Sequence, residues 1–66
     1  MKKCNENIEK AIHLADELLE LGLAGDQERE DEGCGVLYGV IRDAGFKIKD
    51  LAQKEKDKHK TGGNWN

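Results

Sequence analysis

Six small or apolar residues, Cys34, Leu37, Ile41, Ala44, Ile48 and Leu51, alternate at spacings of three and four without a miss. No other feature of the chain constrains its fold as strongly. That period places all six on one face of a single α-helix. A strand reading of VLYGVI, favoured by its Val, Ile and Tyr, fails because strict alternation breaks across LYGVIRD and no second strand candidate exists to pair with it. The chain contains no proline, and its Glu, Lys, Leu, Ala and Asp content also favours helix.

Glycine opposes this reading. Gly33, Gly35, Gly39 and Gly45 fall in or beside the stripe, and each costs about 1 kcal/mol relative to alanine inside a helix. Close packing can offset that cost. The spacing of Gly35 and Gly39 removes two side chains one turn apart and lets another backbone approach, by the logic of small-xxx-small pairs. A break at Gly45, giving three helices, is the alternative, but no good N-cap residue follows it.

An earlier stretch, NENIEKAIHLADELLELG, carries Ile8, Ala11, Ala15 and Leu18 at helical spacing, with Ile12, Leu14, Leu19 and Leu21 widening the stripe. Asn5 or Asn7 can cap its start. Gly22 can end it in a left-handed conformation, with Leu23 folding back on Leu18. The sequence therefore predicts a first helix over about 5–21, a tight connection at 22–25, and a second helix capped by Asp26 that frays near His59. Residues 1–60 form one helical-hairpin domain, short first helix against long second helix. The tail 61–66 has no periodicity and is expected to be disordered, unless Trp65 docks on a groove of the same or a neighbouring subunit.

Folding back at residues 22–25 lets the first helix cover the second only to about residue 43. At about 1.5 Å per residue, some 20 Å of the second helix overhangs, carrying Phe46, Ile48, Leu51 and Ala52. A second copy is expected to close that gap, giving a dimeric helix bundle. In one isologous register Cys34 meets Leu51, Leu37 meets Ile48 and Ile41 meets Ala44 across a two-fold axis, although Glu30 then approaches Glu55. The expected oligomer interface is Cys34, Gly35, Leu37, Gly39, Ile41, Ala44, Ile48 and Leu51.

The formal net charge of -3 is mild but unevenly spread. DQEREDE (26–32) is acidic and residues 42–60 are rich in Lys, an order that suits a helix dipole and a solvated face. A nucleic-acid binder, the second reading, would use Arg42, Lys47, Lys49, Lys54, Lys56 and Lys58. A third reading, a metal or thiol-redox protein, would use Cys4, Cys34, His13 or His59. Glu9 precedes His13 by four, as Glu55 precedes His59, but exposed i,i+4 pairs account for both, and the Glu-x-x-His spacing of bundle metal sites is missing. Cys34 reads as a small buried hydrophobe. Cys4 falls beside residue 44, about ten helical residues from Cys34 along the axis, too far for a disulfide.

No nucleophile with an oriented base, no phosphate-cradling loop and no CxxC pair is present, and Gly33, Gly35 and Gly39 do not make a dinucleotide fingerprint. Tyr38 reads as a packing ring with a hydrated hydroxyl. No enzyme, cofactor or metal site is expected. With no long apolar run and no secretory leader, the expected location is cytoplasmic, with reduced thiols.

Over residues 5–59 the size and hairpin organisation resemble the repressor-of-primer proteins, short helical hairpins that dimerise into four-helix bundles and bind RNA. The resemblance implies a dimeric bundle; it carries over no RNA-contact residue, and the glycine-rich stripe departs from it. The segment REDEGCGVLYGVIRDAGFKIK is also similar to a signature of small uncharacterised bacterial proteins, which implies no activity. The function expected is a homo-oligomeric helical protein-interaction module, its partners being further copies in a dimer or tetramer and another protein, with no membrane.

Overall fold

The structure, a computed structural model, describes residues 2–28 and 30–65. Met1, Arg29 of the acidic run and Asn66 of the tail lie outside the described residues. Two α-helices, α1 (Lys3–Gln27) and α2 (Glu32–Thr61), make up the fold, and no strand occurs among the described residues. They lie antiparallel as a hairpin 48 Å long, with Glu9 bonded to Lys56, Asp16 to Lys49 and Gly25 beside Tyr38.

The first helix does not stop at Gly22. It continues through Gly22 and Gly25 to Gln27, because tertiary packing uses both glycines. Arg42 lies where a Gly22 side chain would stand, and the Tyr38 ring lies where a Gly25 side chain would stand. The left-handed stop with Leu23 on Leu18 is therefore absent, and the connection lies at 28–31 rather than 22–25. Asp26 is inside α1, 3.9 Å from Arg42 through its carboxylate. The cap of α2 is Asp31, extended at φ -150 and ψ 176, whose Oδ1 accepts from the Cys34 amide at 2.8 Å. At the other end of α1, Lys2 takes the N-cap position without a side-chain bond, so neither Asn5 nor Asn7 caps it.

These shifts remove the overhang. Helix α1 has 25 residues against 30 in α2, so the description of a short first helix is corrected. Its extra length reaches the far end of α2, where Asn5 meets His59. Helix α2 is continuous across Gly45, which is buried against Leu19 and the Ala15 carbonyl. A glycine at the contact point brings the two backbones close and excludes a break there.

The interior is correspondingly thin. Among the described residues, the buried apolar side chains are Ala15 and Ala52, and the largest side chain fully out of water is Asn5. The residues of α2 that touch α1 include Tyr38, Arg42, Gly45, Lys49, Lys56 and His59. They repeat at three and four like the apolar stripe but are offset from it by one position. Glycine, alanine and ion pairs thus join the helices, together with Leu19 and the Tyr38 ring, and most of the large apolar residues lie elsewhere.

Past Thr61 the chain turns through Gly63, at φ 78, the left-handed region that favours glycine. Asn64 then returns to α1, its carbonyl accepting from Asn5 Nδ2 at 2.6 Å, and Trp65 is half-buried beneath Lys56 and Lys60, whose ammonium groups stand 5.1 and 5.8 Å from the ring centroid.

Candidate functional site

The two flanks of the hairpin have opposite chemistry. In a helix, residues one position before the contact line point to one side of it and residues one position after point to the other. On the first side α1 presents Cys4, Asn7, Ala11, Leu14, Leu18 and Leu21, and α2 presents Leu37, Ile41, Ala44, Ile48 and Leu51. Two adjoining grooves join these sets: one lined by Cys4, Ile8, Ala11, Ile48 and Leu51 with Glu55 at its edge, the other by Ala11, Leu14, Leu18, Leu21 and Ile48 with Glu17 at its edge. The leucines and isoleucines here are not packed away. Leu14, Leu21, Leu37, Ile48 and Leu51 keep between 38% and 59% of their surface.

The opposite flank is polar and ion-paired. Lys49 bonds Asp16 at 2.7 Å and Lys56 bonds Glu9 at 2.9 Å across the helices, and Trp65 lies beside Lys56. Phe46 is its large exposed ring, at 63%. Leu23, Val36 and Val40 are also exposed away from the apolar flank, at 56–67%, so what sets that flank apart is the continuity of its apolar surface across both helices.

The structure places the expected interface residues unequally. Cys34, Leu37, Ile41, Ala44, Ile48 and Leu51 share the apolar flank. Gly35 falls in line with Tyr38, one turn before it. Gly39 follows Tyr38 and so turns to the polar flank, where nothing of the chain lies within 4 Å of its missing side chain. Sequence reasoning missed the contribution of α1, namely Ala11, Leu14, Leu18 and Leu21. Their own three-and-four spacing carries that signal, but it was merged into one broad stripe meant for α2.

The remaining candidates are spread along the hairpin. Cys4 is exposed at the open end and Cys34 is half-buried near the turn, both as thiols. Because Asn5 is level with His59 rather than residue 44, about 25 helical residues, or some 37 Å, separate the cysteines along the axis. Glu9 bonds Lys56, and His13 is exposed one turn before Asp16, far from Gly35. His59 Nε2 stands 3.9 Å from Glu55, and its Nδ1 donates to Asn5 Oδ1 at 2.6 Å. Asn5 Nδ2 already serves Asn64, so Oδ1 must accept, which fixes the hydrogen on Nδ1. Among the described residues, no three His, Cys, Asp or Glu side chains converge as a metal site.

No family model, curated protein or solved structure matches the chain. No described helix is long and apolar enough to cross a membrane.

Proposed function

We propose that the protein is a homo-oligomeric helical interaction module, in which the hairpin is the protomer and the apolar flank is the working surface. One observation carries this reading: the most regular apolar stripe of α2 is turned away from α1, while a polar line beside it holds the hairpin together. Burying one large apolar side chain is worth roughly 1.5–3 kcal/mol. Five such residues on one flank can exceed an association cost that begins at about 4 kcal/mol. A hairpin whose buried apolar residues are two alanines also needs outside help to be stable at this size. Once assembled, an oligomer of this kind presents its polar flanks, with Phe46 and Val36, to another protein.

Nucleic-acid binding is less well supported. Of the six basic residues it would use, Arg42, Lys49, Lys54, Lys56 and Lys58 each have a carboxylate within 4 Å. Phosphates would have to displace those partners before releasing counterions.

Sedimentation equilibrium at tens of micromolar tests the proposal. The native chain is expected to run at a multiple of its 7.4 kDa mass, and Ile48→Glu, which puts a charge in the middle of the flank, to shift it to monomer. A native chain that is monomeric with full helicity overturns the reading.

A further inference from the structure

The homo-oligomeric reading leaves open how two flanks meet, and the measured register of the hairpin decides it. Gly45 packs on Leu19, so Leu18 of α1 lies level with the stretch between Ala44 and Ile48 of α2. This level is also the middle of the apolar flank, which runs from Leu37 near the turn to Cys4 and Ile8 at the open end. A two-fold axis crossing the flank here makes the surface complementary to itself.

We infer that a second copy covers this flank in the reverse direction, α1 against α1 and α2 against α2, so that each turn lies over the other hairpin's open end. Leu18 then meets Leu18 of the second copy, and Leu14 meets Leu21. On the other helix Ala44 meets Ile48, a small residue against a large one, and Ile41 meets Leu51, two of equal size. Compared with the register expected from α2 alone, the axis moves about one turn toward the open end. That move covers the leucines of α1, and it separates Glu30 from Glu55, the like-charge contact that weakened the earlier register.

Charge selects this orientation over its rival. A two-fold axis along the hairpin would also cover the flank, by laying α2 on the other copy's α1 with both turns at one end. The two acidic turns, with Glu28, Glu30, Asp31 and Glu32 in each copy, would then lie side by side, within about one Debye length. In the reversed dimer each acidic turn instead faces an end bearing Lys2, Lys3, Lys58 and Lys60, among which Glu6 and Asp57 also lie. Lys58 is held by an exposed pair on its own helix, with Glu55, and such a pair is weak enough to exchange.

Two measurements on the full chain, with Cys4→Ser and Cys34→Ser as background, test the inference. Leu18→Cys should oxidise to a covalent dimer, since the two copies of residue 18 meet at the axis. Spin labels on Glu28→Cys should lie about 30 Å apart at 1.5 Å rise per residue, against under about 20 Å if both turns share an end. A monomer in either variant and in the background chain sinks the homo-oligomeric reading itself. A dimer with the short label distance overturns the orientation alone, and a long distance without the Leu18→Cys disulfide overturns the register.

Discussion

Asn5 sits fully out of water with both halves of its amide committed, one to His59 and the other to the Asn64 carbonyl. Truncation removes both bonds from a half-buried His59 and an exposed Asn64, which water can then serve, a loss of about 0.5–1.5 kcal/mol for each bond. Asn5→Ala should therefore lower the urea midpoint of unfolding; an unchanged midpoint would mean that the open end contributes nothing to stability. At the turn, Asp31 works through charge. The Cys34 amide hydrogen bond holds its carboxyl below the usual carboxylate value, assisted by the Cys34 side chain and the Gly33 amide. A carboxyl that binds its proton more weakly when folded makes stability rise with pH. Its contribution is complete above the unfolded value, near 3.8, and is lost as pH falls through the folded one. The stability difference between the native chain and Asp31→Ala should accordingly be largest at pH 7 and shrink in strong acid to what a neutral cap supplies. Asp31→Asn, a neutral cap, should keep part of it at every pH.

Between the two helices the glycines divide into those that are filled and those that are not. Gly45 has Leu19 at 3.0 Å and the Ala15 carbonyl at 3.1 Å from any added Cβ, whereas Gly39 has open space. Gly39→Ala should gain up to about 1 kcal/mol of helix propensity and raise the melting temperature. Gly45→Ala should lower it, since a backbone carbonyl cannot swing aside as a side-chain end can. Shifts of the same sign in circular-dichroism melts would refute this division. The existence of both helices was legible in the spacing of their apolar residues. Their junction was not, because Gly22 and Gly25 look like stop signals unless Arg42 and Tyr38 are known to fill them. Asp26 and Asp31 are likewise equal candidates for a cap until the length of α1 is known.

For the molecule as a whole, the period of α2 revealed which residues form the apolar face but not what they face. The line that does meet α1, through Tyr38, Arg42, Lys49, Lys56 and His59, is polar, and polarity ordinarily marks the solvent side of a helix. It can serve as the joint here because Asp16, Asp26 and Glu9 answer its charges and because Ala15, Ala52 and the glycines let the backbones close in. An expected overhang and a real uncovered flank thus led to the same residues, Ile48 and Leu51, for different physical reasons.

The bonds from Asn5 to His59 and Asn64 join positions 54 and 59 apart in sequence, while the Gly25–Tyr38 contact beside the turn is local. Closing a short loop first makes each later contact entropically cheaper, so closure from the turn outward is the order expected. The bolt at the opposite extremity drops last, which makes that extremity the first to fray and gives the folded protomer a direction along its length.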